Sequence, residues 1–309
     1  MPLAEIPLRA WRKRSRSFDF RGHTIRYWVA GQGEPLLLIH GFPTASWDWH
    51  YLWQPLAHRN LVIACDMLGF GDSAKPLDHG YCLLEQADLQ QALLKHLGVE
   101  QPVHVLAHDY GDSVAQELLA RHYEGRFQMA SCVFLNGGLF PETHRPALVQ
   151  KLLLSPLGWM ISRAFGRNAL SNSFSQIFGP RTRPSESALD DFWSLISASD
   201  GTRILHKLIA YVPQRRTLRD RWVAAMQVGD VPLRVIDGEV DPISGAHMVE
   251  RYHQLVPHAD TVLLTNIGHY PQIEAPVQVL KHYLTFRANI ARVTAWRGLA
   301  RDRVALACT

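Results

Sequence analysis

Cysteine is scarce in this chain and long apolar runs are missing. Only four cysteines occur in 309 residues, Cys65, Cys82, Cys132 and Cys308, and none has a CxxC partner. That pattern supports neither a disulfide framework nor a zinc site, and it predicts a reducing compartment. No apolar run approaches the roughly 18 to 20 residues that a bilayer-spanning helix needs. The N-terminal region lacks the apolar stretch of a secretion signal, so the predicted location is cytoplasmic. There is no internal repeat and no low-complexity segment. The net charge of +4 is unevenly placed: residues 1–16 carry +4, residues 287–309 carry +4, and the remainder carries −4. Basic character confined to the ends argues against a nucleic-acid groove on the main domain.

What is present, 47% hydrophobic residues over 309 positions, suffices for one large domain, with or without an inserted lobe. Ser17–Phe20 and Thr24–Ala30, with Arg21-Gly22 between them, predict an opening hairpin. Pro35–Ile39, Leu61–Cys65, Val103–Ala107, Cys132–Leu135, Leu233–Asp237 and Thr261–Leu264 are short continuous apolar runs, the pattern of parallel strands covered on both faces. Glu85–Leu97 and Ser113–His122 have helical spacing between them. The alternation predicts a doubly wound α/β sheet. It breaks between about Leu139 and Arg221, where helix formers are punctuated by Pro146, Pro156, Pro180, Pro184 and Pro213. The predicted organisation is a basic tail over 1–16, a core over 17–138, a helical lid over 139–221, the rest of the core over 222–287 and a second basic tail over 288–309. In that last segment Ile290, Val293, Trp296, Leu299, Ala300 and Val304 recur at helical spacing among arginines. Such a helix packs on its own domain or makes weak contact with a membrane surface.

The chemistry concentrates in Val105-Leu106-Ala107-His108-Asp109-Tyr110-Gly111-Asp112-Ser113. Small residues two before and two after Asp109, at a strand-to-helix turn, predict a strained elbow that lifts the central side chain clear of the sheet. A carboxylate there is a nucleophile toward alkyl carbon, forming an ester that water then cleaves. Asp241 follows the strand Leu233–Asp237, and His269 sits in Gly268-His269-Tyr270-Pro271 after the last strand. Nucleophile, acid and base thus come in the order Asp109, Asp241, His269. Asp237 and Glu239 are competing acids close to Asp241. Asn136 ends another strand where an acid is also usable, but it is not one.

These residues, with His40-Gly41-Phe42-Pro43 and Asp66-Met67-Leu68-Gly69-Phe70-Gly71-Asp72-Ser73, resemble the α/β-hydrolase superfamily over about residues 18 to 286. His108-Asp109-Tyr110-Gly111-Asp112, Asn136 to Pro146 and Arg183-Pro184-Ser185-Glu186-Ser187 resemble its mesoderm-specific transcript group, relatives of epoxide hydrolases and haloalkane dehalogenases. The resemblance implies an α/β-hydrolase fold and a cofactor-independent, metal-free hydrolase acting on a small apolar organic substrate and water. The backbone N–H groups of Phe42 and Tyr110 are expected to form an oxyanion hole. His40, Trp47, His108 and Tyr211 are candidates for the substrate pocket, with Phe42 and Trp49. His40 equally suits a packing role in its loop. Asp112 departs from the small residue expected at its position. It favours the positive end of the following helix or raises the pKa of Asp109.

The leaving group is less defined. Phe42 and Tyr110 stand where dehalogenases carry halide donors, and phenylalanine has none to offer. Neither Tyr110 nor Ser113 supplies the arginines that haloacid-cleaving relatives use. Epoxide hydrolases protonate the opening ring through two lid tyrosines; here the lid contains only Tyr211, leaving His144, His206 or Tyr110 to replace the second. Epoxide hydrolysis is therefore the leading expectation. A lipid-ester hydrolase or acyltransferase conflicts with the aspartate, because an acyl-aspartate is a reactive anhydride. A ligand-binding or scaffold module with a vestigial site is the non-enzyme alternative.

Overall fold

The computed structural model describes the backbone of residues 3–307 and the side chains of residues 3–292. Short, β-branched and leucine-rich runs form an eight-stranded sheet: β1 (Arg16–Phe20), β2 (His23–Ala30), β3 (Glu34–Ile39), β4 (Asn60–Cys65), β5 (Val103–His108), β6 (Met129–Leu135), β7 (Leu233–Gly238) and β8 (Thr261–Leu264), in spatial order 1-2-4-3-5-6-7-8. β1 and β2 run antiparallel to their neighbours, and β3 to β8 are mutually parallel. Every residue of β5 is buried, as expected of a strand with helices on both faces. Helices of the core are α1 (Leu8–Lys13), α2 (Trp53–Ala57), α3 (Leu83–His96) and α4 (Tyr110–Tyr123).

Between β6 and β7 lie α5 (Leu148–Leu153), α6 (Gly158–Ala164), α7 (Arg167–Ile177), α8 (Glu186–Ser197), α9 (Leu205–Leu208) and α10 (Tyr211–Val228), with no strand among them. Here α10 corrects a predicted boundary: it continues past Arg221 to Val228 as one helix. Pro213 does not break it, because the residue stands in the first turn, where its missing N–H is not needed. The helical segment is tied to the core. Lys75, buried in the loop after β4, donates from Nζ to the carbonyls of Leu195 and Ala198 at 2.8 Å each, at the end of α8. The chain closes with α11 (Ala246–Leu255), α12 (Pro271–Glu274) and α13 (Pro276–Ala307).

The N-terminal segment is not a tail. Trp11 of α1 is buried, stacks on Trp28 at 5.1 Å and meets Trp53 edge-on at 4.9 Å. Arg12 forms a two-pronged ion pair with Asp72 at 2.8 and 3.0 Å. The count of basic charges concealed the apolar face of Ile6, Leu8 and Trp11, which anchors residues 6–11 to the sheet. At the other end α13 is continuous through the segment predicted as a basic helix. The side chains of Val293, Trp296, Leu299, Ala300 and Val304, on which its amphipathic reading rests, lie outside the described residues, as does Cys308.

Candidate active site

Asp109 links β5 to α4 with φ 46° and ψ −101°, a conformation that costs a non-glycine residue of the order of 1–3 kcal/mol. Gly111 makes this turn feasible, since a Cβ there would collide with the backbone carbonyls of Ile39 and His40. The elbow directs the Asp109 carboxylate to the carboxyl edge of the sheet, beside the free N–H groups that open α4. Its Oδ2 accepts a 3.2 Å hydrogen bond from the backbone N–H of Phe42. Tyr110, whose N–H begins α4, packs its ring against Tyr211 at 4.9 Å.

His269 Nδ1 and Asp241 Oδ2 are 2.8 Å apart, both buried. Asp241 is further held by the backbone N–H groups of Ile243 and Ser244, at 2.8 and 3.2 Å, and by the Ser244 hydroxyl at 2.9 Å. The competing acid Asp237 instead accepts from the Asn136 N–H at 2.6 Å, while Glu239 is exposed. Burial works against a charged His269, but the carboxylates of Asp241 and Asp109 outweigh it and push its pKa up to about 9. Burial likewise opposes the charge on Asp241, and His269 holds it below the usual carboxylate range.

Arg215 is the member that sequence reasoning missed. Reaching in from α10, it is almost fully buried, donates from Nη2 to Asp109 Oδ1 at 3.3 Å and to the Asp109 carbonyl at 2.9 Å, and donates from Nε to Ser113 Oγ at 2.6 Å. Its guanidinium lies over the Tyr211 ring at 4.5 Å. Burial raises the pKa of Asp109, but Arg215 first and His269 next bring it below the usual value. A signal was available: residue 215 lies one turn beyond Tyr211, on the same helix face. The sequence showed that Tyr110 and Ser113 do not themselves supply an arginine; the structure brings one to Ser113 from 102 residues away. Asp112 is corrected too. Burial, with Asp237 and Asp109 nearby, raises its own pKa well above the ordinary range, which works against a charge favouring the helix end, while the Asp109 pKa is lowered rather than raised.

A cavity of about 50 Å³ lies beside the base, lined by Phe42, Pro43, Leu153, Phe174 and Ile177 together with His269; Asp109 is not among its lining residues. His40, Trp47, His108 and Tyr211 do not line it. His40 Nδ1 bonds the Gly41 carbonyl and Nε2 accepts from the Met67 N–H, both main-chain contacts that fix the loop carrying Phe42. Trp47 donates to the Ile6 carbonyl and packs on His50, and Trp49 is buried in the core. His108 lies behind the base and meets the His269 carbonyl at 2.8 Å; burial lowers its pKa to about 3, so it is neutral. The Tyr211 hydroxyl is buried and interacts electrostatically with Asp109 and Arg215, without a hydrogen bond of 3.5 Å or less among the described residues. Of the proposed substitutes for a second tyrosine, His144 approaches Arg215 at Gly138, and His206 lies against Gly158 instead.

Residues 34–276 match the family model described as the alpha/beta hydrolase fold. The chain belongs to that family. It is 41% identical over 301 residues to the mesoderm-specific transcript protein of Mus musculus, covering 92% of this chain and 89% of that protein. Its fold resembles that of haloalkane dehalogenase DbeA from Bradyrhizobium elkani USDA94, with a TM-score of 0.76 at 20% identity over 90% of this chain and 99% of that one. Epoxide hydrolase CorEH gives a TM-score of 0.71 at 22% identity, over 89% of this chain and 99% of that one. The α/β-hydrolase fold of this family supports a hydrolase. No helix among the described residues is long and apolar enough to cross a membrane.

Proposed function

We propose that the protein hydrolyses a small epoxide through an alkyl ester on Asp109. The observation that carries this reading is the buried set of Asp109, His269 and Asp241, with His269 held protonated in the resting site. Asp109 attacks a ring carbon; the ring carbon–oxygen bond breaks and its electron pair goes to oxygen. That alkoxide takes a proton from Tyr211, which His269 resupplies. Once Asp109 is esterified, His269 loses an attractive charge and its proton together, and becomes the neutral base that a hydrolytic water needs. Water, losing one proton to His269, then attacks the ester carbonyl, whose developing oxyanion is met by the N–H groups of Phe42 and Tyr110. The intermediate collapses by breaking the bond from the acyl carbon to the alkyl oxygen, which leaves with the second water proton as the diol and restores the Asp109 carboxylate. Protons balance over the cycle, and no cofactor is called for.

The two leaving groups differ in how they would discharge His269. A halide requires no proton on departure, so His269 would stay protonated and unfit as a base until it lost its proton to solvent. An alkoxide removes the proton at the moment it forms. The test is His269→Gln protein incubated with panels of epoxides and alkyl halides, followed by peptide mass spectrometry. Epoxides should leave a mass increment on the peptide containing Asp109, absent in Asp109→Ala. No increment with any reagent overturns the reading.

A further inference from the structure

Three buried polar groups around Asp109 lack hydrogen-bond partners among the described residues: Arg215 Nη1, the Tyr211 hydroxyl and both ring nitrogens of His144. They surround one spot. A methyl group built on Gly138 would come within 2.5 Å of Arg215 Nη1 and 3.3 Å of His144 Nδ1, and the Arg215 guanidinium covers the Tyr211 ring. Leaving guanidinium N–H groups unsatisfied in a buried site is costly. The guanidinium is therefore only half used in the resting state, with Nη2 on the nucleophile and Nη1 free.

From this juxtaposition we infer that Arg215, with His144 and Gly138, forms an oxyanion cradle that receives the oxygen leaving the substrate, standing in place of a second lid tyrosine. The inference rests on the aspartate-nucleophile reading and extends it to a substrate class: strained rings whose leaving oxygen stays tethered to the carbon that Asp109 captures. Charge conservation gives the reason. Before attack, the Arg215 cation is balanced by Asp109. When Asp109 Oδ1 forms its bond to carbon, that negative charge moves with the electron pair onto the ring oxygen, and a buried guanidinium without a counter-ion is strongly unfavourable. A tethered oxyanion formed beside Nη1 would pair with Arg215 while the ring opens, until Tyr211 protonates it. The apolar wall of Phe42, Leu153 and Phe174 faces the alkyl remainder.

Asp109→Asn imitates the esterified state, because the nucleophile is then neutral while Arg215 is still charged. Butyrate and butanol serve as probes, with binding read by calorimetry. Butyrate should bind Asp109→Asn at least tenfold more tightly than wild type. The gain should vanish in Asp109→Asn/Arg215→Gln and in Asp109→Asn/Gly138→Ala, whose added methyl fills the cradle. Butanol should bind all four proteins alike. Equal behaviour of the two probes overturns the cradle, whatever the covalent chemistry turns out to be. Should Asp109→Asn not fold, adduct formation in His269→Gln is compared with His269→Gln/Arg215→Gln, using 1,2-epoxybutane and 1-bromobutane. Removing Arg215 should slow the epoxide at least thirtyfold more than the bromide, and equal slowing would mean only a structural role. Absence of all adducts in His269→Gln refutes the covalent reading separately, and the butyrate result still judges the cradle.

Discussion

The side-chain amide of Asn136 donates to Asp241 Oδ2 at 3.0 Å, the same oxygen that meets His269 at 2.8 Å. Asn136 achieves this from an uncommon backbone, φ 42°, while its own Oδ1 accepts from the Gly238 N–H at 2.7 Å. One amide therefore joins the ends of β6 and β7 and aims the acid at the base. Replacing it with alanine removes three buried hydrogen bonds and leaves a main-chain N–H without a partner, a cost of about 1–3 kcal/mol for such a group. Asn136→Ala should lower the melting temperature by several degrees in calorimetry and slow hydrolysis of the Asp109 ester more than its formation. Asn136→Asp should be worse than alanine, since a second carboxylate would then face Asp241. A more active Asn136→Asp would show that the acid role had moved to β6.

The pH dependence follows from His269. Its folded pKa of about 9 lies above the unfolded value near 6.5. The folded state thus holds the proton more tightly, and this contribution to stability is complete below about pH 6.5 and disappears as pH rises through about 9. Ester formation with an epoxide should fall above pH 9, where the proton for the alkoxide is gone. Hydrolysis of the ester should instead rise with pH and have its midpoint below 9, because esterified Asp109 no longer raises the His269 pKa. Quenched-flow mass spectrometry separates the two steps. A single midpoint for both would refute the idea that the charge on Asp109 sets that of His269.

The strands, the elbow and the order Asp109, Asp241, His269 were legible because each depends on a few adjacent residues. Val103–His108 is apolar at Val103 and from Val105 to Ala107, and a small residue had to follow at position 111. Arg215 was not legible in the same way. Gln214, Arg215 and Arg216 are three successive polar residues with no motif around them, and only the lid packing over Ser113 shows that one of these arginines is buried. The same holds for residues 6–11, where tryptophan and leucine positions outweigh the basic charges once β2 and α2 are present to receive Trp11. His40, Trp47 and His108 were expected in the pocket and do not line it, because nearness in sequence says nothing about which side of the Phe42 loop each ring occupies.

Gly111 gives a sharp test of the elbow. Its absent Cβ faces the carbonyl of Ile39 on the central strand β3, which cannot yield without opening the β3 and β5 pairing. Gly111→Ala should therefore cost about 2–4 kcal/mol, within the range of strain and overpacking in rigid cores. Gly98→Ala, at a surface helix end with φ 68° and open space around it, should cost only about 1 kcal/mol through its backbone. Denaturant unfolding of the two variants measures the difference, and similar losses would remove the steric argument.

Glu274 couples the lid to the base. Its Oε2 accepts from the Gly179 N–H at 2.8 Å, the Thr182 hydroxyl at 2.5 Å and the Gly268 N–H at 2.9 Å, and its Oε1 accepts from the Tyr270 N–H at 2.9 Å. The two residues flanking His269 and the segment after α7 are thus held by one carboxylate, and the His269 N–H itself bonds the Ile177 carbonyl at 2.8 Å. Glu274→Gln keeps the shape but replaces one acceptor with a donor and removes a charge that helps to raise the His269 pKa. The upper pH limit of ester formation should move down in this variant while the fold persists. Glu274→Ala releases all four donors, so it should also expose residues 178–184 to proteolysis and destabilise the protein by about 2–4 kcal/mol. If both variants keep the wild-type pH limit, Glu274 only braces the loop; if the limit shifts while proteolysis is unchanged, its charge acts on His269 independently of the lid.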